Sequence, residues 1–400
     1  MTSTVKRFTF IDSTITNGAF WYLFLWCVFL LNDVLYPSQS IVYSLSQAAI
    51  YLWSIYCALQ VFMDKNVRGM SFFVLFLSFY GLLLLVSEPT LKHQNGGVVS
   101  NIFYLKELFT SFLPVYVLYY YWEKGVMNMS VCRIYSIVLI AVCIVSYFSI
   151  DAMNMADLAG IEGESTNNVG YRFLKLFPLA FLWRNNEIVK NIYIFVILIF
   201  IISSFKRGAI FIAAAALLYY AYTQTKNTSI RRRILSLVII SIAGMIIYNY
   251  TMELYENSAF MQYRVASTLE GATSQRDSIY SFFWNYFWHQ DSFLNMLVGN
   301  GAFSTVAIYG QFAHDDWLEL LINQGIIGII MYFFLYCEFY KKWKLIKRID
   351  IVTYEMIAMF LIIFLLKSIF SMSYSDIGIW SAIPLSYCYY VNKKNIIHKL

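Results

Sequence analysis

Charge is scarce in this chain: Asp, Glu, Lys and Arg make up 13% of its 400 residues, against 60% hydrophobic and 19% aromatic. So little polar surface cannot cover two or three water-soluble domains, and the composition reads as one all-α integral membrane domain over residues 1–400. Cysteine is sparse and inward. Cys27, Cys57, Cys132, Cys143, Cys337 and Cys388 lie inside or at the ends of hydrophobic runs with no CxxC pair, which excludes an external disulfide framework. The four histidines, His93, His289, His314 and His398, have no spacing that sets two ligands on one helix face, so no metal site is expected. The net charge of +6 would suit a nucleic-acid partner only if the basic residues clustered on a soluble surface, and most lie between apolar runs. Also lacking is a small-residue cleavage pattern after the first apolar run, which is read as a retained helix. Two similar halves and interrupted helices, expected of a transporter, are not evident either. A transporter reading nevertheless stays open.

Apolar windows of roughly 17 to 24 residues fall near 15–36, 41–63, 70–87, 102–122, 131–150, 171–184, 188–204, 208–223, 234–250, 316–340, 351–371 and 377–391, which predicts about twelve spans. Most of the 29 basic residues collect on one side if both termini are cytoplasmic, as the positive-inside rule requires. Lys92, Lys106, Arg172, Lys175, Lys206, Arg207, Arg264, Arg276 and Lys367 then lie outside or near outer helix ends, against the insertion bias. Each has either an anionic ligand or a structural ion pair as its partner. For adjacent Lys106 and Glu107 the structural pair is favoured. Lys206 and Arg207 alone interrupt an apolar hairpin, and Gly208 permits a close approach, which favours the ligand.

The same topology predicts a large extracytoplasmic loop at 250–313, between the ninth and tenth spans. Ser274 to Asp277 has capping-box spacing, and Ile279, Phe282, Phe283, Tyr286 and Phe287 follow at i, i+3, i+4, i+7 and i+8. An amphipathic helix is expected there, lying along the membrane interface with Trp284 and Trp288 at headgroup depth. Arg276 beside the exposed N–H groups of its first turn favours a bound phosphate, with a neighbouring carboxylate as the alternative partner.

The most informative stretch is 299–328, which gathers His314, Asp315, Asp316 and Glu319 where the loop enters a membrane helix. Asp315 and Asp316 are accounted for as first-turn acids that complement the helix dipole. His314 suits a general base near neutral pH, with the helix N-terminus favouring its neutral form and Asp315 its charged form. Gly325 and Gly328 are read as close-packing positions.

Arg276, the aromatic helix, Gly299-Asn300-Gly301-Ala302-Phe303, His314-Asp315, Leu318, Glu319 and Gly325-Ile326-Ile327-Gly328 resemble, in order, the O-antigen ligase and Wzy-type O-antigen polymerase superfamily. Ser203-Ser204-Phe205-Lys206-Arg207-Gly208-Ala209 is similar to the Ser-Arg-Gly hairpin of those families. Residues 1–190 match only in being hydrophobic, and Asp315 stands where the ligases often carry Asn. The resemblance implies a metal-independent, cofactor-free, inverting glycosyltransferase at the outer face of the bacterial cytoplasmic (inner) membrane. Its donor would be a polyprenyl-diphosphate-linked oligosaccharide and its product an O-antigen or capsular polysaccharide. His314, Arg276 and Arg207 would carry catalysis. Lys206, Arg264 and Asp315 would bind substrate, with Arg172 and Lys367 added as cations held against the insertion bias. Membrane lipids, a chain-length regulator and a flippase are the other implied partners. Asp315 and the weak N-terminal likeness favour polymerase over ligase.

Overall fold

The structure, a computed structural model, describes residues 18–35, 40–63, 81–82, 90–92, 98–158, 168–226, 276–374 and 378–397, with isolated positions between 234 and 266. Helices dominate. In chain order they are α1 (Gly18–Leu35), α2 (Ile41–Met63), α3 (Asn101–Glu123), α4 (Met129–Leu158), α5 (Val169–Leu174), α6 (Glu187–Ser203) and α7 (Arg207–Lys226). After the loop come α8 (Arg276–His289), α9 (Phe293–Val298), α10 (Ser304–Tyr309), α11 (Asp316–Ile346), α12 (Ile351–Phe370) and α13 (Gly378–Ile397). One short antiparallel ribbon, β1 (Thr90–Lys92) with β2 (Val98–Ser100), precedes α3, in a stretch read only as a connection between spans.

Among the described residues four helices are long and apolar enough to cross a membrane by length and composition: Ile41–Met63, Met129–Ile150, Asp316–Ile346 and Ile351–Phe370. The chain is a multi-pass helical membrane protein, and the expected twelve spans are corrected to these four among the described residues. The reasons are local. Windows 70–87 and 234–250 lie largely outside the described residues. Helix α6 has 17 residues, α3 carries Lys106, Glu107 and Glu123, and α13 ends in Asn392-Lys393-Lys394. Window 171–184 is not one helix at all: α5 stops at Leu174 and a separate 3-10 turn runs from Phe177 to Trp183. Pro178 has no N–H to donate to Leu174 O and its ring crowds that carbonyl, so an α-helix cannot run on through it.

The helices share one core. Tyr22, Trp26, Phe112, Tyr116, Tyr119, Phe173, Tyr332 and Tyr374 are its largest fully buried side chains. The loop helix α8 builds a second, smaller core, with Ile279, Phe283 and Phe287 packed on Ala313 and Ile322. That spacing of four puts three rings or branches on one stripe. Trp284 and Trp288, beside that stripe, are more than half exposed. The Ser274 end of the expected capping box, and most of 250–275, lie outside the described residues.

Helix α11 contains a break that the sequence reading does not anticipate. Gly325 has φ 65° and ψ −165°, far from helical geometry, so the carbonyls of Ile322 and Asn323 lose the partners that a continuous helix would supply. The turn after α9 replaces them: Asn300 N–H donates to Ile322 O at 2.9 Å and Gly301 N–H to Asn323 O at 3.1 Å. A side chain on Gly299 would strike the Asn323 backbone, and one on Gly325 would strike Leu297. The two glycines are therefore a docking pair, which corrects the close-packing role expected of Gly325. Helix α11 is also the interrupted helix whose absence had counted against a transporter.

Candidate functional site

The hairpin between α6 and α7 is closed by three residues. Ser204 Oγ donates to Ile201 O at 2.6 Å and accepts from Lys206 N–H at 3.4 Å. Phe205 takes φ 50° to reverse the chain. Lys206 is thereby set at the turn, with Arg207 opening α7 beside it and both half-buried. Gly208 leaves room for the Tyr171 hydroxyl and Phe370 Cβ. The close approach expected at this glycine is made by a side chain rather than by a backbone.

Tyr171 joins elements that are far apart in sequence. Its hydroxyl donates to Phe370 O at 3.5 Å, next to Ser371 and in the field of the Arg276 charge, and Lys367 Nζ stands 5.5 Å from its ring centre. Arg276, the first residue of α8, also reaches the Tyr280 hydroxyl. Burial pushes the Tyr280 phenol up, aided by the Asp315 charge and opposed by Arg276.

His314 sits in the left-handed region at φ 56°, an uncommon conformation for a residue other than glycine. Its ring is partly desolvated and faces the positive charges of Arg276 and Lys206, and these three influences hold its pKa below the ordinary histidine value. All three influences favour the neutral imidazole. Asp315 is not among them, because its carboxylate turns to the helix and accepts from Leu318 N–H at 2.9 Å. Burial pushes its own carboxyl up, against the N–H groups of Leu318 and Trp317 and the charge of Arg276.

The two neighbouring aspartates part company. Asp316 is fully buried and accepts from Ser373 N–H at 2.7 Å, Tyr374 N–H at 3.2 Å and the Tyr332 hydroxyl at 2.5 Å. It clamps the α12–α13 connection and is not simply a helix-start acid. Lys367, also buried, donates to Met372 O and lies within electrostatic reach of Asp316.

The structure brings His314, Arg276, Lys206 and Asp315 to one place, with Arg207 next along the hairpin and Lys367 approaching through Tyr171. Arg172 is not brought in. It stands one residue beyond Tyr171 on α5, about 100° further round the helix, and is not among the charges that act on His314 or Asp315. Arg264 lies outside the described residues. Tyr171 and Tyr280 are the neighbours that sequence reasoning missed. Among the described residues no three His, Cys, Asp or Glu side chains converge as a metal centre would require.

Beside this cluster an apolar cavity of about 470 Å³ runs between α8 and α11. Trp284, Phe287, Trp288, Trp317, Leu318, Leu321, Ile326 and Ile329 line it, and Asp315 marks its polar end. No protein-family model matches the chain, and no curated protein matches it in sequence.

Proposed function

We propose that the chain is a Wzy-type polymerase, joining polyprenyl-diphosphate-linked oligosaccharide units by inverting glycosyl transfer at the outer face of the bacterial inner membrane, with both termini cytoplasmic. The observation that carries this reading is the placement of His314, half-desolvated at the start of α11, in the field of two cations, Arg276 and Lys206. A base and a pair of positive charges are what displacement of a sugar diphosphate demands. The acceptor hydroxyl oxygen forms the new bond to the anomeric carbon and its proton passes to the His314 ring. The bond from that carbon to the phosphate oxygen breaks, and its electron pair leaves with the diphosphate. Arg276, Lys206 and Arg207 meet the negative charge that grows on the leaving oxygen. Attack from the face opposite the leaving group inverts the anomeric centre. The apolar cavity ending at Asp315 suits the first part of the polyprenyl tail.

Reconstitution tests the reading. Purified protein given a polyprenyl-diphosphate repeat unit, with no metal added, is expected to produce a ladder of longer lipid-linked glycans, and His314→Ala and Arg276→Ala are expected to abolish it. Transfer only onto added lipid A core would make the protein a ligase. The Asp315 cap does not separate the two, since Asn caps a helix equally well. A second reading, a lipid-linked oligosaccharide flippase, is favoured by the break in α11 at Gly325, because interrupted helices recur in transporters. Movement of the lipid between leaflets with no new glycosidic bond would select it.

A further inference from the structure

Glu319 is fully buried in the first turns of α11, and the reaction proposed above makes no use of it. Its carboxylate collects three donors. Oε1 accepts from the Thr305 hydroxyl at 2.5 Å and from Asn323 Nδ2 at 2.9 Å, and Oε2 accepts from the backbone N–H of Ala313 at 2.8 Å. Asn323 in turn accepts from Ser304 Oγ at 2.5 Å and Thr305 N–H at 3.4 Å. A buried carboxylate is costly unless its lone pairs are met, and here backbone, hydroxyl and amide donors meet them.

The Ala313 bond matters most, because Ala313 immediately precedes His314. His314 occupies φ 56°, and such a conformation persists only where its surroundings impose it. On one side Asp315 caps α11 through Leu318 N–H. On the other, Glu319 grips Ala313. The strained residue is pinned between two bonds made to the same helix, so its ring direction is set by α11 and not by the long loop that delivers it.

The geometry points to Glu319 as the residue that positions His314 toward Arg276 and Lys206, acting as a hydrogen-bond acceptor of the right length rather than as a charge. Its catalytic consequence rests on the polymerase reading; its effect on His314 does not. Glutamine keeps the reach and an acceptor for Ala313, and the Thr305 hydroxyl can turn to accept from its NH₂ group; the Asn323 amide, held by Ser304 and Thr305 N–H, loses one acceptor without releasing Ala313. Aspartate keeps the charge but is one methylene too short to hold Ala313.

The test compares Glu319→Gln, Glu319→Asp and Thr305→Val in the full-length protein in membranes, with no substrate present. The pH dependence of His314 modification by diethyl pyrocarbonate, which attacks the neutral ring, is read by mass spectrometry of the His314 peptide. The groups facing the ring are Arg276 from α8 and Lys206 from the hairpin, with Asp315 adjacent and Tyr280 and Tyr171 beyond Arg276. Wild type, Glu319→Gln and Thr305→Val are expected to share a midpoint below the ordinary histidine value, and Glu319→Asp to rise toward about 6.5 as the ring leaves its cations. In ladder assays Glu319→Asp is expected to lose up to about 100-fold in kcat with little change in donor KM, since misplacement of about 1 Å suffices for that. Glutamine is expected to stay within about threefold of wild type by the same criterion. A wild-type midpoint in Glu319→Asp, or a shifted one in Glu319→Gln, overturns the assignment. So does an equal shift in Thr305→Val, which would mean general loosening. If the midpoints behave as expected and no ladder ever forms, the positioning role stands and the polymerase reading falls.

Discussion

The Tyr171 ring is used at both ends: Lys367 Nζ lies 5.5 Å from its centre, and its hydroxyl donates to Phe370 O at 3.5 Å with the Arg276 charge beside it. Tyr171→Phe removes the hydroxyl and keeps the ring contact. A typical hydrogen bond contributes about 0.5–1.5 kcal/mol net, so glycan synthesis is expected to slow by about twofold to tenfold while thermal stability changes little. Gly208→Ala, which pushes a methyl group into the same hydroxyl, is expected to give a similar loss. Initial rates of ladder formation check both.

The pH profile follows from the charges around His314. The base works when neutral, so activity falls as pH drops through the His314 pKa, which burial, Arg276 and Lys206 hold below about 6.5 in the free protein. A bound diphosphate cancels part of that positive field and raises the pKa. The acid limb of kcat/KM is therefore expected at lower pH than the acid limb of kcat. Lys206→Met removes one cation and is expected to move the kcat/KM limb to higher pH.

Gly325→Ala is expected to destabilise the protein far more than Gly328→Ala. At Gly325 a side chain meets both a left-handed backbone and the Leu297 backbone, and the conformational part alone is about 1–3 kcal/mol. At Gly328 the φ is not positive, and a side chain meets Gln324 Cβ within the same helix, so the cost there is steric without the conformational part. Thermal unfolding in detergent separates the two.

Leu321→Trp is expected to fill part of the 470 Å³ cavity between α8 and α11. If that cavity takes the lipid tail, donor KM rises while kcat at saturation is largely kept. A soluble diphosphate sugar without the tail should be insensitive to the substitution. Equal KM values for the lipid donor in both proteins would move the tail elsewhere.

Composition made the helical membrane class legible; charges placed against the insertion bias drew attention to Lys206 and Arg276, and the polar cluster at a helix mouth to His314, which the structure brings together with them. Tyr171 could not be found in this way, because it is one of 33 tyrosines and most serve packing. Asp315 and Asp316 look equivalent in a sequence. In space the first has extended backbone at φ −147° and caps the helix, while the second points into the core. Window hydropathy likewise misreads 171–184, since an average over residues is blind to a stop at Leu174 and a fresh start at Phe177. Gly325 and Gly328 share one pattern, but only Gly325 breaks the helix, for a reason that lies in a turn more than twenty positions earlier.

The break in α11 also dictates an order of assembly. Unpaired carbonyls cost several kcal/mol in hydrocarbon, and those of Ile322 and Asn323 find donors in Asn300 and Gly301. The segment from Asp316 to Gln324 can settle at depth only after the Gly299–Gly301 turn has reached the same side of the bilayer. His314, two residues before that segment, is therefore expected to reach its place only after the turn has docked.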